Sequence, residues 1–567
     1  MTAEQSSALP REPLLRVENL NVTYGSHDPA SRARIQGLHD VSFDLMPGER
    51  LGLIGESGSG KTTIASACMG LLAPSAEVSG RIFLEGRDIL EKGEASIAPH
   101  RWKDIAMVFQ GAMNAFNPVR SIGWQIAEAM EVQDMPRGRF GVQRVGELLE
   151  LVGIPAAQAA SYAHEFSGGM RQRAMIAMAL ACSPKVLLAD EPTTALDVMV
   201  QRQVLELLVD LSRKLELGVI LVTHDLGVVA ETCTRAVVML QGRNVESGTT
   251  KELFHRPRHA YTAQLLKASP GYEARARAVA GDEPPVAAAS RAPVLAVEGL
   301  IVSYPQRPSL RQILTGSRPE PRPVVKALDL AVAAGEIVAL VGRSGCGKTS
   351  TLQSVMRMQP ASGGRILFEG QDITALQGRA LRRVRRDIQM IYQDPYESLD
   401  SRFRVVDTVM EPLHIHGIGN NRAERMALVR QALERVGLTP VDDFLRRFPH
   451  ELSGGQRQRV AIAAGVVLAP KLILADEPTS MLDVSIRSGI LDLLVGLCRD
   501  GGMSVLMITH DLSIAASYAD RIAVMHEGRI IEEGPALRVA LEPQAEHTRD
   551  LLAAIPRVDP GPVLIAH

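Results

Sequence analysis

Gly55-Glu56-Ser57-Gly58-Ser59-Gly60-Lys61-Thr62 decides the fold of this chain, because it returns as Gly342-Arg343-Ser344-Gly345-Cys346-Gly347-Lys348-Thr349. Each copy has the glycine, lysine and hydroxyl spacing of a phosphate-binding loop. Three further landmarks follow both copies in the same order: Ser-Gly-Gly at Ser167 and Ser453, Asp-Glu at Asp190 and Asp476, and Thr-His-Asp around His224 and His510. The lysines lie 287 residues apart and the other three pairs 286 apart. A single loop of this kind can arise by chance. Two ordered sets at one spacing mark a tandem duplication.

The bulk numbers agree. A chain of 567 residues exceeds what one hydrophobic core supports, and the repeat sets the domain count at two. Lysine and arginine total 62 against 64 acidic residues, a net charge of −2, so nucleic acid is not an expected partner. Met1 to Pro13 is polar and has no apolar signal core. No apolar run approaches the roughly 18–20 residues that span a bilayer; the longest, Val460 to Pro470, is bounded by arginine and proline. Any tie to a membrane is therefore expected to run through a partner. Cys68, Cys182, Cys233, Cys346 and Cys498 show no CxxC spacing, which fits a reducing, cytoplasmic compartment and argues against a metal or iron–sulfur site.

Residues 1–270 form the first expected domain, 271–293 an alanine- and proline-rich tether, and 294–567 the second domain. A Pro/Arg-rich stretch, Pro305 to Pro323, reads as an exposed loop. Short apolar runs lead into the landmarks: Leu51–Ile54 and Ile337–Val341 into the phosphate loops, Val186–Ala189 and Leu472–Ala475 into Asp-Glu, Val219–Val222 and Val505–Ile508 into Thr-His-Asp. Such runs, alternating with helical stretches, predict an α/β fold with a mostly parallel sheet and ligands beyond the strands' carboxyl ends.

The chemistry follows from residue type. Gly55, Gly58 and Gly60, with Gly342, Gly345 and Gly347, let backbone N–H groups turn inward around phosphates at a helix N-terminus. Ser57, Ser344, Thr63 and Ser350 belong to the same loops. Lys61 and Lys348 would reach the β- and γ-phosphates, and Thr62 and Thr349 would hold Mg²⁺. Asp190 and Asp476 would join the Mg²⁺ shell, while Glu191 and Glu477 would act on the attacking water as general bases. Gln110 and Gln393, each ending a strand-like segment, would contact Mg²⁺ or water, and His224 and His510 the γ-phosphate. Ser167, Gly168, Gly169 and Met170, and likewise Ser453, Gly454, Gly455 and Gln456, open helices as second anion sites. A domain with a phosphate loop has no need of another such site for its own nucleotide, so each is expected to complete the site of the other half. Cys346, at a helix start, is expected to be an acidic, reactive thiol that bound ATP protects.

Together these residues resemble a tandem ATP-binding-cassette ATPase, and the resemblance covers nearly the whole chain. It implies two cassettes, head to tail, with two ATPs between them. One site would pair Lys61, Gln110, Asp190, Glu191 and His224 with Ser453 to Gln456; the other would pair Lys348, Gln393, Asp476, Glu477 and His510 with Ser167 to Met170. It also implies that Tyr24 and Tyr304 stack on adenine and that Asp197 and Asp483 couple the sites.

Within that family the chain resembles the paired ATPases of peptide importers, a group that includes nickel and glutathione importers. Phe166 to Leu180, Gln393 to Leu399 and the two tails (His259 to Thr262 with Leu265, Leu266 and Pro270; His547-Thr548 with Leu551, Leu552 and Pro556) carry this narrower likeness. The implied partners are two integral-membrane permeases and, indirectly, an extracytoplasmic solute-binding protein, with the chain peripheral on the cytoplasmic face of the inner membrane. There are departures: Gln110 to Pro118 lacks the usual acidic residue, and Met170 replaces a glutamine. Serine hydroxyl and glycine N–H groups remain, so both sites are expected to hydrolyse ATP. Oligosaccharide importers, ribosome-binding translation factors and DNA-repair ATPases are the rival twin-cassette readings. The first commonly have a degraded second site. The second have a long charged linker, and the third zinc cysteines or coiled coils.

Overall fold

The computed structural model describes residues 12–25, 34–111, 115–135, 138–194, 196–267, 292–305, 320–394, 398–480, 482 and 484–556. Most of the expected tether, most of the Pro/Arg-rich loop and Asp483 lie outside these residues. The bulk of the chain divides into two compact units at Ser269/Pro270.

The first unit contains β1 (Leu15–Gly25), β2 (Arg34–Leu45), β3 (Arg50–Ile54), β4 (Ala76–Leu84), β5 (Arg87–Asp88), β6 (Ile105–Val108), β7 (Val186–Asp190), β8 (Gly218–Thr223), β9 (Arg235–Leu240) and β10 (Arg243–Thr249). Its principal sheet has the order β10-β9-β3-β8-β7-β6. All pairings are parallel except β9 with the edge strand β10. β6, β7 and β8 are buried at every position, as their unbroken apolar runs require when helices cover both faces.

The second unit repeats the plan with β11 (Pro293–Tyr304), β12 (Arg322–Ala333), β13 (Ile337–Val341), β14 (Gly363–Phe368), β15 (Gln371–Asp372), β16 (Ile388–Ile391), β17 (Leu472–Asp476), β18 (Ser504–Thr509), β19 (Arg521–His526) and β20 (Arg529–Pro535). Its principal sheet runs β16-β17-β18-β13-β19-β20.

Each unit also has a four-stranded antiparallel sheet, β2-β1-β4-β5 and β12-β11-β14-β15, which the apolar runs did not foretell. The reason is local. In β1 the buried set is Leu15 and Val17, then Leu20 and Val22. The alternation slips by one residue at Asn19, whose φ is 49°, where the register with β2 shifts. A bulge thus hides the period of two that would announce the strand. β11 repeats the slip at Gly299, φ 57°.

Two cores hold the first unit's functional elements. The phosphate-loop helix Lys61–Met69 packs Ile64 and Cys68 against Leu51, Leu53 and Ile82. The helix Gly168–Ala179 packs Ala174 and Ile176 among Ile122, Ile126, Leu148 and Leu149 of two neighbouring helices. Among the described residues, no helix is long and apolar enough to cross a membrane.

Candidate active sites

β3 ends at Ile54, and the chain must turn at once into the helix that begins at Lys61. Gly60 makes that turn at φ 101°; a Cβ there would lie 2.6 Å from Leu38 Cδ2. Gly347, φ 112°, does the same in the second loop. Both loops curl around their own lysine. Lys61 Nζ donates to the carbonyls of Gly55 (2.7 Å) and Glu56 (2.8 Å) and to Ser59 Oγ (3.3 Å). Lys348 Nζ donates to Gly342 (2.7 Å) and Arg343 (3.0 Å). The residue matching Ser59 is Cys346, so the second loop offers no hydroxyl there.

The expected magnesium pairs come together. Thr62 Oγ1 lies 3.3 Å from Asp190 Oδ1, and Thr349 Oγ1 lies 3.3 Å from Asp476 Oδ1. Burial pushes the Asp190 carboxyl up to about 6, the Thr62 hydrogen bond opposes that, and the Glu191 charge adds to it. Asp476 is raised for the same reasons. A buried carboxylate and a hydroxyl side by side at a phosphate loop form a hard-oxygen donor set suited to Mg²⁺.

Both glutamates adopt left-handed backbone, with φ of 44° at Glu191 and 42° at Glu477. Non-glycine residues reach that region at a cost, and such strain clusters at functional sites. Nothing in the sequence signalled it. His224 Nδ1 lies 3.0 Å from Glu191 Oε1, and His510 Nδ1 lies 3.3 Å from Glu477 Oε2. Burial alone would raise the Glu191 carboxyl. The hydrogen bond and charge of His224, helped by Thr194 and Lys61, outweigh it and hold the group below its ordinary range. Glu477 is lowered likewise, against burial, by His510 and Lys348. Each glutamate is thus ionised at neutral pH, as a general base requires. The turn that carries each histidine is pinned by its flanking residues: Thr223 Oγ1 accepts from Asp225 N (3.0 Å) and Asp225 Oδ1 caps the next helix at Gly227 N (2.9 Å), as Thr509 and Asp511 do in the second unit.

Gln110 Nε2 donates to Glu191 Oε2 at 2.7 Å, and Gln393 Nε2 to Glu477 Oε2 at 3.2 Å. These amides, expected near Mg²⁺ or water, reach the carboxylates of Glu191 and Glu477. Tyr24 and Tyr304, expected against adenine, are tied to the loop helices: Tyr24 Oη to Thr63 Oγ1 (3.4 Å) and Tyr304 Oη to Ser350 Oγ (3.1 Å).

Ser167 and Ser453 cap their helices, accepting from Met170 N and Gln456 N at 3.3 Å. Gln456 Oε1 in turn accepts from Ser453 N (3.1 Å), a reciprocal box that Met170 cannot make. The second glycine of each turn is packed shut. A Cβ on Gly169 would lie 2.4 Å from Val200 Cγ1, and one on Gly455 2.5 Å from Ile486 Cγ2. Asp197, expected to couple the sites, caps the helix Val198–Lys214 through Val200 N (3.0 Å).

Two features escaped the sequence. Tyr261, in the first tail, accepts from the phosphate-loop N–H of Glu56 through its hydroxyl (3.2 Å). Glu246 anchors that tail by accepting from Arg258 N, His259 N and Thr262 Oγ1. The other is Cys346. Burial raises its thiol, against the charge of Lys348, and its residual exposure is 7%. The expected reactive thiol is instead a buried, weak nucleophile, because desolvation outweighs the helix start.

Comparison with known proteins agrees with this geometry. The model of the family described as "ABC transporter" matches residues 38–194 and 325–480. The chain is 42% identical to the glutathione import ATP-binding protein GsiA of Shigella boydii serotype 4 (strain Sb227), over 97% of this chain and 90% of that one. The protein of the same name in Escherichia coli (strain K12) is also 42% identical over the same shares. The chain belongs to the ABC transporter family. It is an ATPase coupled to transport, built from two cassettes. A second family model, the C-terminal region of oligopeptide/dipeptide transporters, matches residues 245–292. A solved bacterial ABC transporter cassette aligns at 27% identity over 43% of this chain and 98% of that one, with a TM-score of 0.38.

Proposed function

We propose that this chain is the ATP-hydrolysing subunit of an importer for short peptides, glutathione among them. The observation that carries the reading is the 42% identity to glutathione import ATPases along nearly the whole chain. The oligopeptide/dipeptide transporter match at residues 245–292, which includes the tail that reaches the first phosphate loop, supports it further. The domains run 1–270 and 294–567, joined by 271–293.

In the head-to-tail pairing that the family resemblance implies, two composite sites would form between the cassettes. In each, the phosphate loop and its lysine hold the phosphates, the tyrosine takes the adenine, and the Ser-Gly-Gly turn of the other cassette closes over the γ-phosphate. Thr62, Asp190 and Gln110, and in the second site Thr349, Asp476 and Gln393, would hold Mg²⁺. Bound with ATP, the ion would neutralise charge between the β- and γ-phosphates. Glu191 and Glu477, ionised and aimed by His224 and His510, orient water and take its proton. ATP joins the two cassettes and hydrolysis releases them, a ligand-biased two-state element. The tether makes that closure intramolecular. Two permeases at the cytoplasmic face of the inner membrane would convert the motion into transport, supplied by an extracytoplasmic binding protein that selects the solute.

The test is to purify the tagged chain from gently solubilised membranes and to follow uptake of labelled glutathione and a dipeptide in cells lacking it. Two co-purifying multi-spanning proteins and lost uptake of either solute are expected. Co-purifying ribosomal proteins, or unchanged uptake of both, would contradict the reading.

A further inference from the structure

Tyr24 and Tyr304 stand in unlike surroundings. Tyr24 lies opposite Ile35 of β2 on one side and opposite Ala76 of β4 on the other. Residues directly opposite one another in an antiparallel pair share a face of the sheet, so apolar side chains flank the tyrosine on both sides. Ile35 is 69% exposed, and Val78, two residues along β4 and opposite Val22, is 40% exposed. Tyr304 lies opposite Arg322 of β12, an exposed arginine in the place of Ile35. It has no strand on its other side, because β14 begins at Gly363, opposite Ile301.

The rings are also seated differently. At Gly37 in β2 a Cβ would lie 2.7 Å from Tyr24 Cε2. The register puts Val324 at the matching place, since Leu38 faces Val22 as Val325 faces Val302. The first ring therefore rests where the second strand carries a side chain.

We propose that Arg322 sets the base selectivity of the second site, which takes guanosine as readily as adenosine triphosphate, while the first site, edged by Ile35 and Ala76, prefers the adenosine form. This rests on the reading that the two tyrosines take the base. A purine stacked on Tyr304 has its edge beside that residue's cross-strand neighbour, whose Cβ lies about 5 Å from the tyrosine's. Guanine presents O6 and N7 there, two adjacent acceptors that a guanidinium fork meets with two parallel donors. Adenine sets an N6 donor beside N7, and an arginine, which has no acceptor, bonds only one of the two. The first site has no such donor. Guanine carries more polar groups than adenine, and between Ile35 and Ala76 they lose water without gaining a partner.

The test measures binding of ATP and of GTP, each with Mg²⁺, to the purified full-length chain by calorimetry, for wild type, R322I and I35R. Both positions are exposed, so neither exchange disturbs a core. GTP should fill wild type in two steps, one at an affinity like that of ATP and one about tenfold weaker. R322I, which copies the first cassette, should weaken the stronger GTP step about tenfold relative to ATP, the effect of losing a bidentate base contact. I35R should strengthen the weaker step. An unchanged ratio of GTP to ATP affinity in R322I, or one GTP affinity at both wild-type sites, would overturn the proposal. Y24A and Y304A separate its failure from that of the underlying reading. If they bind both nucleotides as wild type does, the tyrosines do not take the base and both ideas fall. If they lose both nucleotides while R322I keeps the wild-type ratio, the selectivity alone is refuted.

Discussion

Glu191 and Glu477, the proposed general bases, are held differently. Glu191 is bonded by His224 at 3.0 Å, Gln110 at 2.7 Å and Thr194 Oγ1 at 2.9 Å. Glu477 has His510 at 3.3 Å and Gln393 at 3.2 Å, and the hydroxyl of Ser480, which matches Thr194, is buried with no partner among the described residues. Other differences fall the same way. The first loop has Ser59 on its lysine where the second has Cys346, and its tail reaches the loop through Tyr261. At the position matching Tyr261 the second tail has His547, whose ring lies 3.9 Å from that of His526. In the proposed pairing, the first site is completed by Ser453 with its reciprocal cap and the second by Ser167, which lacks one. A duplicated motif set thus conceals a graded pair. The first site is built more tightly than the second, and each half keeps the lysine, aspartate, glutamate and histidine of the motif set.

Short of removing a glutamate outright, the largest expected effect probes what the sites share. The Asp190 carboxyl sits near 6, above its ordinary value, so the protonated form prevails below that pH and cannot serve a metal. Affinity for Mg²⁺-ATP, followed with a fluorescent nucleotide, should be level above about pH 6 and fall by about tenfold per unit below it. Glu191 and Glu477, both held low, stay ionised over most of that range, so the loss should appear in binding before it appears in turnover. A level profile down to pH 5 would contradict the assignment of Asp190.

Next is the tail. Tyr261→Phe removes one acceptor from the Glu56 N–H, worth about 1 kcal/mol, and should raise the KM for ATP about fivefold. His547→Phe should do less, because no hydrogen bond to the loop is lost there; equal effects would deny the tails their difference. Met170→Gln rebuilds the reciprocal cap and should raise Tm by about 2–4 °C, at about 1 kcal/mol. Turnover should rise with it, and an unchanged Tm would show that the cap does not form. The smallest effect is expected of Cys346→Ser. It returns a hydroxyl to Lys348, should change ATPase activity by about twofold at most, and should leave the slow alkylation of the chain unaltered, since the wild-type thiol is buried.

The principal sheets were legible because their strands are buried on both faces and read as plain apolar runs. The antiparallel sheets were not, since Asn19 and Gly299 break the alternation of β1 and β11. Motif spacing brought out Lys61, Thr62, Asp190, Glu191 and His224 and their counterparts, and the structure gathers those of each half in one place. What escaped it was contact between residues far apart in the chain. Tyr261 lies 205 positions from Glu56, and a tyrosine in a tail carries no mark of the loop it touches. Cys346 was misjudged for a related reason: a helix start is visible in the sequence, and the burial that overrides it is not.

The most direct measurement of the graded pair compares the ATPase rates of Glu191→Gln and Glu477→Gln in the full-length chain. A general base contributes on the order of 100-fold or more at its own site, and sites that close and open together lose turnover together, so Glu191→Gln should lower turnover by up to about that factor and Glu477→Gln by measurably less. Equal losses, a larger loss for Glu477→Gln, or no loss at all from Glu477→Gln would contradict two working sites of unequal build.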